Sequence, residues 1–259
     1  MKNQFFLFAS ILKKEYILLK RYIFNTIGEI IFFYCLFLFL FLGYTAIVSA
    51  GSNYGTSLEG IIVSYLLWVF CFKMYLEISN IIYYETIRGT LEKLYTSYFG
   101  FTNIAIYQII ASFFIQAVYT SCLLLLVILT TGRTLNLEIH SILFFTVFLL
   151  LGIAGIGFFV GGLTLVFKRI SSYLDILQFV IAGLVVAPLD SLPRLKYLPA
   201  SLGSYMLREV MVSGKSLLSF SASKIIFLIA NSLFYLSLGI FIFKLCEEKA
   251  KKEGILGHY

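Results

Sequence analysis

The sequence predicts an all-α membrane protein with six spanning helices. Composition points there first: of 259 residues, 60% are hydrophobic and only 13% charged. A soluble chain carries about 25% charged residues to face water. The apolar residues also collect in long runs, and about 20 of them cross the hydrocarbon core as a helix. Six runs reach or approach that length, at residues 27–48, 60–84, 104–129, 142–167, 173–189 and 225–243. The fifth is short and ends near Pro188, which leaves its full crossing open. A net charge of +7 would suggest nucleic acid in a soluble protein. Beside these spans it reports Lys and Arg held on the cytoplasmic face, and no nucleic-acid partner is expected.

The connections order the spans. Lys2, Lys13, Lys14, Lys20 and Arg21 precede the first, and residues 49–59 after it hold no Lys or Arg. Arg88 and Lys93 follow the second span, Arg133 alone the third, Lys168 and Arg169 the fourth, and Lys244, Lys249, Lys251 and Lys252 close the chain. Positive residues prefer the cytoplasmic side, so both termini are expected inside. Arg194, Lys196, Arg208 and Lys215, between spans five and six, break the rule locally. Residues 1–26 form a separate lead-in. Phe5, Phe8, Leu12, Tyr16, Leu19 and Ile23 recur at helical spacing, with the basic residues on another face. That is the pattern of an amphipathic helix lying in the membrane interface, against the plainer reading of a frayed basic lead-in. The lead-in is no signal peptide, since its first apolar stretch, 5–9, is short and no small-residue cleavage site follows. Residues 246–259 are read as a cytoplasmic tail.

Cys35, Cys71 and Cys122 sit inside apolar runs, and with Cys246 they make no CxxC or zinc-ligand spacing. No metal or cofactor site in this chain is expected. His140 and His258 have no carboxylate or cysteine cluster to suggest catalysis. Gly214-Lys215-Ser216 looks like the tail of a phosphate-binding loop, but Glu209 stands where that loop needs its first glycine.

The most polar connection follows the second span: Glu85, Thr86, Ile87, Arg88, Gly89, Thr90, Leu91, Glu92, Lys93, Leu94 and Tyr95. Gly89 permits a sharp turn and Thr90 is a capping residue. Leu91, Leu94 and Tyr95 then form an apolar edge beside Glu92 and Lys93. This is either a short amphipathic helix made to enter a partner's groove or an ordinary polar loop, and periodicity leaves the two even.

A glutamate followed by Gly-Thr-Leu-Glu-x-Leu after a second span resembles the ATP-binding-cassette (ABC) type-2 permease family. Gly161-Gly162-Leu163-Thr164-Leu165-Val166-Phe167-Lys168-Arg169 is similar to the same family. So is Pro188-Leu189-Asp190-Ser191-Leu192-Pro193, followed by Leu198-Pro199 and Leu207-Arg208. With the surface helix and six spans, the resemblance covers essentially the whole chain; one departure is Tyr98, where many relatives carry proline. It implies the membrane subunit of an exporter, paired with a second copy or close paralogue in the cytoplasmic membrane of a prokaryote. Two separate ATPase subunits would hold ATP and Mg. Residues 85–97 would be the coupling helix, with Glu85, Arg88, Gly89, Thr90, Leu91, Glu92, Lys93 and Leu94 at the ATPase. Residues 188–215 would re-enter the outer leaflet. The cargo would be an amphiphile such as a drug, peptide, lipid or lipid-linked glycan.

Charges inside a membrane helix cost on the order of 3 kcal/mol each at its centre. Lys73 and Glu77 lie one turn apart in the second span and are expected to neutralise each other. They would be either a structural pair or part of the substrate path; as an ion or proton relay they would suit the alternative of a stand-alone secondary transporter. Asp175 and Gln178 at the inner end of the fifth span raise the same question. Gln108 and Gln116 read as interhelical glue, and Glu29 lies near enough to the interface to reach water. Gly157 and Gly161, in GxxxG spacing on the fourth span, predict close packing of helix backbones, as a seam within the chain or a contact with a second copy.

Overall fold

The computed structural model describes residues 2–49, 58–167 and 170–254, and among them there is no strand. Nine α-helices follow in order: α1 Lys2–Arg21, α2 Ile23–Ser49, α3 Leu58–Ile87, α4 Leu91–Tyr95, α5 Phe101–Thr131, α6 Ile139–Phe167, α7 Ser171–Val186, α8 Ser201–Ser213 and α9 Ala222–Lys252. Short 3₁₀ turns occupy Pro193–Tyr197 and Leu217–Ser219. Five helices, α2, α3, α5, α6 and α9, are long and apolar enough to cross a membrane, and the chain is an all-helical, multi-pass membrane protein.

The fifth predicted span is the exception. Helix α7 has 16 residues and stops at Val186, because Pro188 disfavours helical backbone at Ala187. At 1.5 Å per residue it is about 24 Å long, short of the roughly 30 Å hydrocarbon core. The last helix departs from expectation in the other direction. It continues to Lys252, so residues 246–252 of the predicted tail are an extension of α9. The Lys168–Arg169 pair and His258 lie outside the described residues.

The core has two parts. Buried residues of α3, α5, α6, α8 and α9 form the larger one, including Tyr75, Phe101, Phe145, Phe158, Met206 and Phe243. Phe33 and Phe37 of α2 join Ile62, Tyr65 and Val69 of α3 and Tyr119 and Leu123 of α5 in the smaller. Glycines set the spacing. A Cβ at Gly157 would stand 3.2 Å from the Tyr75 carbonyl oxygen and one at Gly161 would run into Ile78, so both predicted glycines face α3. A second seam, unforeseen, joins α6 to α9: a Cβ at Gly155 would overlap the Tyr235 backbone, one at Gly239 the Gly155 backbone, and Gly162 lies against Cys246. A hydrogen bond of 2.6 Å between the Ser79 and Thr164 hydroxyls adds a polar tie between α3 and α6, in the manner of interhelical glue.

The segment between α7 and α9 folds back into the bundle. Its Pro193–Tyr197 turn is held by α9, where the Tyr235 hydroxyl donates to the Tyr197 carbonyl at 3.0 Å. Ala200, at φ 69°, is the single described non-glycine residue in the left-handed region; it lies beside Gly152. From there α8 runs outward along α6, with Gly203 against Leu149 and the Met211 carbonyl accepting from Asn136 N–H at 2.9 Å. Gly152 is 13 residues into α6, so the segment reaches about 20 Å along that helix.

Candidate functional site

One end of the molecule gathers α1, α4, the start of α5 and the extension of α9. The turn from α3 into α4 is a Schellman motif. Gly89 takes φ 66°, its N–H donates to the Thr86 carbonyl at 3.0 Å, and Thr90 N–H donates to the Glu85 carbonyl at 2.9 Å. Glu85, its side chain only 13% exposed, is the hub. Its carboxylate accepts from the Thr90 hydroxyl, with Arg88 at 3.6 Å and Lys14 of α1 at 3.8 Å. Thr90 sits at the N-cap of α4 without a side-chain cap bond, since its hydroxyl is turned to Glu85.

The predicted apolar edge of α4 points inward. Leu91 is buried and Leu94 and Tyr95 are half-buried, packed on the larger core. Tyr95 stacks on Phe101 at 4.7 Å, Phe101 stacks on Phe243, and Lys251 lies 5.3 Å over the Tyr95 ring. Burial, and then the charge of Glu247, push the Tyr95 phenol above its ordinary range. The edge is therefore used within the chain. Exposed instead are Tyr84, Ile87, Arg88, Glu92, Lys93 and Tyr98, a mixed aromatic and charged face.

Above this turn are two polar nodes. Lys73 and Glu77 do not neutralise each other. Lys73 forms its ion pair with Glu29 of α2 and lies 4.8 Å over the Tyr119 ring and 5.7 Å over Phe33. Glu77 turns to α5 and α1. The Gln108 side-chain amide donates to Glu77 at 3.2 Å and to Glu15 at 2.7 Å, and Ser112 also bonds Glu77. Positions i and i+4 differ by about 40° around a helix, enough to send one side chain toward α2 and the other toward α5. Glu15 went unnoticed because it lies in the charged half of a surface helix by sequence. In the structure the inward stripe of α1 is Leu7, Phe8, Ile11, Leu12, Glu15, Leu18 and Leu19, so Phe5, Tyr16 and Ile23 of the predicted stripe are exposed. Asp175 is exposed and joins neither node, while Gln178 lends only its backbone carbonyl, to the Trp68 indole at 3.3 Å.

At the opposite end Arg208 of α8 closes α7. Its guanidinium donates to the Val186 carbonyl at 3.0 Å and the Ala187 carbonyl at 3.1 Å, supplying donors for the orphan carbonyls of the helix end. Gly214 is the left-handed C-cap of α8 and Lys215 pairs with Glu209, so the Gly-Lys-Ser tripeptide ends a helix where a phosphate-binding loop would begin one. Among the described residues no three of His, Cys, Asp and Glu are placed to hold a metal ion. Compared with protein families, curated proteins and solved structures, the chain matches none.

Proposed function

We propose that this chain is the membrane subunit of an ABC-type exporter. It would move an amphiphile outward on ATP hydrolysed by separate subunits, with a second copy or paralogue completing the pore. The observation that carries the reading is the joint between α3 and α4. A five-residue helix is fixed to the end of a long apolar helix through Gly89 and Glu85. The end of α3 is braced by α1 through Lys14 on Glu85, and α4 by α9 through Lys251 on Tyr95. A push on its exposed face passes into three helices at once. From α3 the displacement continues through the glycine contacts into α6 and on into α9, whose backbones touch too closely to yield separately.

On this reading the α4 end is cytoplasmic, α7 is the sixth span with its helix stopping short of the outer surface, and residues 188–215 re-enter from the outside. The reading also eases the charge anomaly there, since Arg208 serves backbone carbonyls and Lys215 has Glu209. The face offered to an ATPase is Ile87, Arg88, Glu92, Lys93 and Tyr98.

The test is purification of the tagged chain in mild detergent, with a crosslink from Lys93→Cys. An ATP-hydrolysing subunit should co-purify and crosslink at position 93. Gly89→Pro removes the N–H bonded to Thr86 and excludes the positive φ; with Glu92→Arg, it should abolish substrate-stimulated hydrolysis while the chain still inserts. Normal hydrolysis and export in both variants, or no ATPase in the complex, sinks the proposal.

A further inference from the structure

There is a cleft at the end opposite α4. It lies between the Pro193–Tyr197 turn, α8 and the first turn of α9, encloses about 310 Å³, and is lined by Asp190, Lys196, Tyr205, Lys224 and Phe227 among others. Two of these are cations without acidic partners. Among the described residues no carboxylate lies within 4.0 Å of Lys196 or Lys224. Lys196 is half-buried, with its ammonium 5.2 Å over Tyr197 and 5.9 Å over Phe227. Aromatic faces hold a cation in place but satisfy it less well than an anion does. Lys224 is exposed one turn before Phe227 on α9, on the same face. Asp190, the one acid in the wall, accepts the Tyr205 hydroxyl at 3.0 Å. Farther along the chain Arg133 is matched by Glu59 and Lys215 by Glu209, while Arg194 of the same turn is exposed and, among the described residues, also has no acidic partner.

We propose that this cleft binds a phosphate group, held between the Lys196 and Lys224 ammonium groups, with the apolar wall of Leu189, Leu202 and Phe227 receiving the first carbons of whatever carries it. Lys196 is pre-positioned by its rings, so little side-chain freedom is lost on binding. Lys224 closes from the solvent side. The two charges favour a phosphate monoester over a neutral head, and a hydroxyl-only head leaves Lys196 as it is now. The site requires neither an ATPase nor a second copy of the chain.

The test is calorimetric titration of the full chain in neutral detergent with three probes: a short-chain phosphatidic acid, the matching diacylglycerol, and inorganic phosphate. Phosphatidic acid should bind with a stoichiometry of one, and diacylglycerol should not. Inorganic phosphate binding as tightly would identify the free ion as the ligand, and much weaker binding would identify a lipid headgroup. Lys224→Gln, which removes no packing, should weaken binding about tenfold, the loss of one charge-assisted contact. Lys196→Met should do the same or more, and Lys196→Arg should restore it. Lys20→Met, at the other end of the molecule, should change nothing. Equal binding of diacylglycerol, or unchanged affinity in Lys224→Gln, overturns the proposal.

Discussion

Gly155→Ala tests the α6–α9 seam directly. A Cβ there would stand 2.8 Å from the Leu236 amide nitrogen and still closer to the Tyr235 carbonyl, where nonbonded heavy atoms settle at about 3.5 to 4.0 Å. Backbone cannot rotate away, so the helices must part by roughly 1 Å, and a gap of that size forfeits about a quarter to a half of each contact it opens. The seam runs from Gly155 through the Phe158–Phe243 ring contact at 5.6 Å to Gly162 and Cys246, so the whole stretch is affected. Overpacking of this kind costs about 1 to 3 kcal/mol. For a chain of this size 1 kcal/mol shifts the unfolding midpoint by about 2 to 4 °C, and a drop of about 2 to 12 °C is expected. Thiol labelling during heating reads it in a Cys35→Ser, Cys122→Ser, Cys246→Ser background, because the remaining Cys71 is buried and reacts only on unfolding. Gly183→Ala is the matched control, with nothing within 4 Å of its Cβ. A Gly155→Ala midpoint equal to that of the control would refute the close crossing.

Three further outcomes follow from the polar contacts. Glu85→Ala should loosen the α3–α4 turn by about 1 to 3 kcal/mol, read as faster tryptic cleavage at Arg88 and Lys93 with the rest of the chain protected. Arg208→Met leaves the Val186 and Ala187 carbonyls without donors and should raise hydrogen exchange in the last turn of α7, with about 1 to 3 kcal/mol lost. The Lys73–Glu29 pair should respond asymmetrically, because the Lys73 side chain is 17% exposed and that of Glu29 is 42% exposed. Glu29→Leu strands the less accessible charge and should lower the unfolding temperature more than Lys73→Met does; the reverse order would contradict the placement.

The sequence made the long helices visible because an apolar run near membrane length has few other uses; of the Gly157–Gly161 pair, Gly157 meets the Tyr75 backbone and Gly161 the Ile78 side chain. Its failures share a cause. The i,i+4 rule for Lys73 and Glu77 is blind to α2 and α5, which lie on either side of α3 and offer each residue a better partner. Leu91, Leu94 and Tyr95 were legible as an apolar edge, but periodicity does not say whether that edge meets a partner or Phe101 of the same chain. Gly239 stands alone in α9 without a spacing motif, and only its position opposite Gly155 explains it. The polar turn at Glu85–Thr90 was readable because Gly89 is among the few residues that adopt a positive φ without strain.

Helix α1 is joined to α2 by Tyr22 alone, yet its inward stripe meets α5, and Glu15 finds Gln108 93 residues later in the chain. At a synthesis rate of about 5 to 20 residues per second, that partner arrives roughly 5 to 20 s after Glu15 does. In the interval the helix has no bundle to dock on, and its apolar side has the lipid headgroups as the nearest shelter. Helix α1 thus waits for α5 before it can take its final place, and its docking reports that the third long helix has arrived.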